Sequence, residues 1–297
     1  TDADVGVISS ENFEYIRPEK VAEAIDAHMP GLKSRIRLIA YVRPHAERLL
    51  AGFAERTKLG TFGGTLEELH LAFSETGILD YARRFRKWRE VFGDAFTLRP
   101  MIARELTNND VVHDFLNFVA QGGEFSISGS TRVNESLSLE DLAVLRLVHA
   151  RIREGNPDLR TEQKSLGFSI AKLLIANAGG DRVRPQIHKD LAEAVIERYA
   201  ADAAKLDKRY FEGTPMTTAL NSCRDKALDT AQSVRPEDYL SPQAIGQHLA
   251  WADLTQRIIS ADPEGFQKSI RPPERRERSK TLRVETRALE RPRKGRK

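Results

Sequence analysis

The sequence predicts an α/β fold: a parallel sheet with flanking helices in the N-terminal part, followed by a helical C-terminal half. Three observations predict it. Short, nearly continuous apolar runs occur early in the chain, as expected of strands covered on both faces. Helix-period patterns separate those runs, which is the order of βαβ units. Beyond Gly122 only helical patterns recur.

Taken in order, Asp4 to Ser10 reads as a first strand carrying Val5, Val7 and Ile8. Pro18 to Met29 opens with Pro-Glu, a favourable helix start. Arg35 to Val42, RIRLIAYV, is the second strand, and a helix from Pro44 to Leu59 follows at once. Ile78 to Phe92 sets Ile78, Leu79, Ala82, Phe85, Trp88, Val91 and Phe92 near three-and-four spacing, with Arg83, Arg84, Arg86, Lys87 and Arg89 on its wet face. Ala95 to Met101 is the third strand. A helix over Thr107 to Ala120 is expected with Thr107 as its cap and Asp110 in capping-box position. Helices are then expected over Ser138 to Arg153, with a Ser138–Asp141 box, and over Glu162 to Asn177, Pro185 to Phe211 and Ser241 to Ser260.

The composition is that of a folded protein, 40% apolar with no run near the roughly 20 apolar residues a bilayer span requires. The opening TDADVGVISSENF has no initiator Met and no basic-then-apolar leader. The expectation is therefore a chain that begins inside a domain. A lone Cys223 excludes an internal disulfide and reads as a small buried hydrophobe, which suits a reducing cytoplasm. No Cys/His cluster has zinc spacing, and the histidines lie far apart in the sequence; His45, one turn into the helix after Arg43, could touch the cleft, but a helix-surface position is the simpler reading. Trp88 and Trp251 read as core anchors.

The net charge of +4 conceals a division. Arg271 to Lys297 holds 12 Lys/Arg against 4 Glu, a tail of +8, so the remainder carries −4. Such a tail has too few apolar residues to order itself and suits contact with polyanions.

In parallel βαβ units, ligands bind beyond the carboxyl ends of the strands. Two places follow from that rule. Arg43 ends the second strand beside a helix N-terminus, where helix dipole and guanidinium together suit a phosphate; a strand–helix salt bridge is the alternative. Glu11, beside Ser9 and Ser10, ends the first strand. It could take a proton from an attacking hydroxyl, or merely cap a local turn. The Gly- and Lys-bearing TKLGTFGG stretch, Thr57 to Gly64, follows a helix instead of a strand and reads as a loop. Asn134 and Ser136 lie in a loop before a helix, for which capping is the simpler role.

The ordered series SSENF, IRLIAYVRPHAERLLAGFAERTKLG, LDYARRFRKWREVFGDAFTLRPM and NNDVVHDFL resembles bacterial carbohydrate-type sulfotransferases that use 3'-phosphoadenylyl sulfate. The likeness runs from about Val7 to Leu116, and more weakly through TRVNESLSLEDLAVLRLVH and ERYAADAAKLDKRYF. It implies a P-loop NTPase-like sulfotransferase core whose first strand and phosphosulfate loop are missing here, so that residues 1–297 alone are expected to be inactive. It implies that Arg43 grips the 3'-phosphate, with Ser10 also at the cofactor and Glu11 as catalytic base. The family's hydroxyl partner, eight residues after the Arg, is Ala51 here. The implied partners are the nucleotide donor and a saccharide or glycolipid acceptor, with no metal required.

The expected organisation is an α/β cofactor-binding core over 1–121, a helical part walling the acceptor site over 122–264, and a basic disordered tail over 265–297. Two further readings stand beside sulfuryl transfer. One is a kinase or glycosyltransferase on the same core, against which the absence of a DxD-type pair counts. The other is a non-enzymatic polyanion-binding scaffold with a decayed site.

Overall fold

The structure is a computed structural model, and it describes residues 5–127, 137–179 and 182–270. The chain forms two compact units: residues 1–50, 66–132 and 186–231 make the first, and residues 51–65, 133–185 and 232–297 the second. They interleave along the chain, where the sequence reading expects consecutive blocks.

The first unit holds the sheet. Strands β1 (Leu38–Val42) and β2 (Phe96–Pro100) pair in parallel, Leu38 opposite Phe96 and Val42 opposite Pro100, and Met101 N–H continues the ladder to Val42 O at 2.7 Å. Between them run α2 (His45–Lys58), α3 (Leu66–Thr76) and α4 (Tyr81–Phe92). Helix α2 starts in this unit, and its second half counts to the other. Helix α4 turns Phe85 and Trp88 onto Phe96 of β2, with ring centroids 6.2 and 5.9 Å apart. Helices α1 (Pro18–His28), α5 (Val111–Ala120), α8 (Lys189–Tyr210) and α9 (Pro215–Asn221) complete the unit. Leu49, Leu69, Leu79, Tyr199, Leu206 and Leu220 are fully buried in it.

The second unit is built on α6 (Leu139–Gly155), α7 (Arg160–Ala176), α10 (Pro242–Ala261) and α11 (Pro263–Ile270). Val144, Val148 and Ile152 of α6 pack with Leu166 of α7 and with Ala252 and Ile259 of α10. The Ser138–Asp141 capping box that opens α6 is present in both directions, at 2.8 and 3.1 Å.

Several expectations are corrected. The coarse α/β plan with parallel strands holds, but the sheet has two strands among the described residues and the chain is mostly helical. Residues 5–10 form no strand. Val5, Val7 and Ile8 are 53–73% exposed, because no neighbouring strand offers their backbone a partner. The second strand is shorter than expected, since a 3₁₀ turn over Pro30–Arg35 precedes it. Asp110, and not Thr107, caps α5, accepting from Val112 and His113 N–H at 2.9 Å each. Helices α3, α9 and α11 were not expected, and α11 carries helix past the expected start of the tail at 265. Trp88 is buried as expected, whereas Trp251 is exposed. Asn134, Ser136 and the tail from Arg271 lie outside the described residues.

Candidate functional site

Arg43 stands where the sequence puts it. It follows Val42, the last residue of β1, and Pro44 then sets the entry to α2. The α2 ladder begins with Arg48 N–H to Pro44 O at 2.8 Å, so the helix's opening N–H groups have no intrahelical acceptor. The half-buried guanidinium of Arg43 rests 3.9 Å from Met101 Sδ at the end of β2, and no carboxylate lies within ion-pair distance of it among the described residues. A permanent cation at a helix N-terminus without an acid partner suits an anion.

Glu47, one turn along α2 from Arg43, was not singled out from the sequence, although its spacing of four from Arg43 could have found it. The residue is exposed overall, yet neighbours crowd its carboxyl enough to push its pKa up, an effect that Arg43 and Lys226 oppose. Glu47 thus lies in the field of Arg43 without an ion pair to it among the described residues.

Glu11 and Ser10 lie on an exposed 3₁₀ turn, Glu11–Tyr15, instead of at a strand end. Ser10 caps that turn, accepting from Asn12 N–H at 3.1 Å. Glu14, in the same turn, holds it to the sheet's helices: Arg84 of α4 at 2.9 Å and Arg48 of α2 at 3.5 Å. The His45 and Tyr81 rings, 4.7 Å apart, join the first turns of α2 and α4. The turn bearing Glu11 is thus fastened near the helix ends that adjoin the carboxyl end of β1. Glu11 itself makes no ion pair among the described residues, and nothing brings it into contact with Arg43.

Behind this surface lies a polar cluster that sequence reasoning missed. His45, expected on the surface, is fully buried. Its Nε2 meets Asp202 Oδ2 of α8 at 3.1 Å. The Asp202 carboxylate also accepts from Tyr81 N–H at 3.1 Å and Ala82 N–H at 3.0 Å, which caps α4. The His45 ring lies between Tyr81 and Tyr199, whose centroid is 4.9 Å away. His45 Nδ1 and the Tyr81 hydroxyl are buried without hydrogen-bond partners among the described residues, and burial pushes the Tyr81 phenol up. One carboxylate therefore anchors the openings of two helices beside Arg43.

In the second unit, the 57–64 stretch ends α2 and then forms a loop, as expected of it. His149, 2% exposed, binds Lys58 O through Nε2 at 2.9 Å. Arg153 holds Gly60 O at 2.7 Å, and Arg146 holds Gly63 and Gly64 O. These contacts tie the loop to α6. A groove of about 640 Å³ in this unit is lined by Ile170, Leu173, Ser138 and Tyr239 among others, and the Asp141–Arg182 pair lies along it.

Among the described residues no three His, Cys, Asp or Glu side chains gather to hold a metal, and no helix is long and apolar enough to cross a membrane. Cys223 is buried, and burial pushes its thiol up, so it is a poor nucleophile. What fold and site define is an α/β chain with a cation, Arg43, at the carboxyl end of a parallel strand pair and with no carboxylate at ion-pair distance from it among the described residues. No family model, curated protein or solved structure matches the chain.

Proposed function

We propose that the chain serves sulfuryl transfer from 3'-phosphoadenylyl sulfate to a hydroxyl of a saccharide or glycolipid acceptor. The observation that carries the reading is Arg43, a guanidinium with no carboxylate at ion-pair distance among the described residues, between the end of β1 and the opening N–H groups of α2. That arrangement matches the 3'-phosphate grip implied by the ordered sequence resemblance. A nucleotide held there would have its 3'-phosphate against guanidinium and helix dipole together. Glu14 fastens the turn that Ser10 caps and Glu11 opens to Arg48 of α2 and Arg84 of α4, which supports a role for these residues near the opening of α2. In this scheme Glu11 takes the proton of the acceptor hydroxyl as its oxygen attacks sulfur, and the sulfur–phosphate oxygen bond breaks toward the nucleotide. Positioning and fixed cations supply the stabilisation.

Titration of the chain with 3',5'-ADP, and separately with ATP and Mg²⁺, tests the donor class. Tighter binding of 3',5'-ADP is expected. Preference for ATP with the metal would favour a kinase, and no binding of 3',5'-ADP contradicts the proposal.

A further inference from the structure

Helix α11 covers only part of α7, its neighbour in the second unit. Glu162, Leu166, Ser169 and Leu173 recur in steps of four, three and four, which puts them on one face of α7. Helix α11 lies along the first three. Gln267 Nε2 donates to Glu162 Oε1 at 2.5 Å, Phe266 packs onto the cluster that holds Leu166, and Ser169 Oγ donates to Ile270 O at 3.5 Å. The two helices therefore run toward the same end. Leu173 is the next position of the stripe, and it is 64% exposed. It stands in the wall of the groove of about 640 Å³, together with Ile170, Val183, Tyr239 and Glu140. The α11–α7 contact thus stops one turn short of a bare apolar wall, where the chain goes on to Arg271.

The residues that follow are Arg271, Pro272, Pro273, Glu274, Arg275 and Arg276. Proline cannot continue a helix, and it biases the residue before it to extended backbone. Two prolines in a row set a polyproline II course of about 3.1 Å per residue, which carries their rings about 6–9 Å beyond Ile270. Along α7, Leu173 and Asn177 stand about 6 and 12 Å beyond Ser169. The rings and the bare wall come level. Proline rings on this course are the ligand that grooves with aromatic lining accept, and Tyr239 supplies the aromatic here. Charge agrees with shape. Glu140 is exposed at the groove and makes no ion pair among the described residues, whereas Asp141 is held by Arg182. Arg275 and Arg276 follow within about 20 Å of Ile270.

We infer that residues 271–276 dock in this groove as a strap, with Pro272 and Pro273 against Leu173 and an arginine of the following pair beside Glu140. The surface is small, but the segment is tethered at the groove's edge. Its effective concentration there is on the order of millimolar, so few contacts suffice to hold it.

Disulfide trapping in the full chain, kept dilute, is the test. Ala178→Cys, in the groove wall, is paired with Glu274→Cys, which leaves both prolines and Leu173 in place. The comparison pairs Glu274→Cys with Glu264→Cys, an exposed position back along α11 and within reach of the same tether. The groove pair should close at least about tenfold faster, whereas a freely moving segment would reach Glu264→Cys as readily. Leu173→Ser, at an exposed position that leaves the fold intact, should remove most of that difference. Glu140→Arg should slow closure about fivefold, and adding Arg275→Glu and Arg276→Glu should restore it. Equal rates for the two cysteine pairs overturn the inference. So does a rate indifferent to Leu173→Ser or to Glu140→Arg, a charge reversal that fails to restore closure, or a product that joins two chains and so seats a second copy in the groove.

Discussion

Arg43 and His45 stand two residues apart and meet opposite environments. Arg43 was legible from the sequence because an apolar run followed by Arg-Pro marks both the strand end and the helix start. His45 was not, because the partner that lets an imidazole be buried, Asp202, lies 157 residues away. Glu11 was placed on a strand that does not form, since its backbone finds no neighbour to pair with. The same residue-level logic gives two predictions at His149. Burial holds its pKa below the ordinary 6.5. The unfolded chain therefore binds more protons than the folded one below that value, so the His149 contribution is present above pH 6.5 and is lost as pH falls toward the folded value. Urea midpoints should be lower at acid pH than at neutrality, and His149→Gln should flatten that difference. His70, held down by burial and by Arg198, adds in the same direction and is the control to substitute alongside. An unaltered pH dependence in the double variant would contradict this account. Beside His149, a Cβ at Gly167 would stand 1.9 Å from Lys58 O and 2.7 Å from His149 Nε2. Gly167→Ala should accordingly cost at least about 1–3 kcal/mol by urea unfolding.

At the scale of elements, helices with marked apolar stripes and caps were legible within a few residues of their ends. The Ser138–Asp141 box is the clearest case, because it is local chemistry within one turn. Short helices such as α9 were not legible. Its opening is stabilised by Asp207, which accepts from Met216 N–H at 2.8 Å and Thr217 N–H at 2.9 Å while lying on α8. The opening of α4 likewise depends on α8, through Asp202. Asp202→Ala leaves two N–H groups and one imidazole without their acceptor, and should destabilise the protein by about 2–4 kcal/mol. Asp202→Asn keeps one carbonyl acceptor and should cost less. Urea unfolding checks the order, and an Asp202→Ala loss under about 0.5 kcal/mol would remove the carboxylate from this anchoring role.

At the scale of the whole molecule, the α/β plan was legible from the alternation of apolar runs and helical periods. The extent of the sheet was not, because a strand exists only when another backbone completes its hydrogen bonds. The interleaving of the two units was also hidden, since periodicity reports which face of an element is buried and not against what. Charge is the global property that sequence states outright. Removing residues 271–297 takes the net charge from +4 to −4. The shortened chain should lose retention on a heparin column, and the salt needed to elute the full chain should reflect the tail alone. Unchanged retention would assign polyanion contact to the folded units instead.

Arg43, at the end of β1, is proposed to read a phosphate on the ribose. Calorimetric titration of wild type and Arg43→Ala with 3',5'-ADP and with 5'-AMP measures that directly. Arg43→Ala should weaken 3',5'-ADP binding by about 10- to 100-fold while changing 5'-AMP little, since a charge-assisted contact is worth about 1.5–3 kcal/mol. Equal losses for the two nucleotides, or none for either, would contradict it.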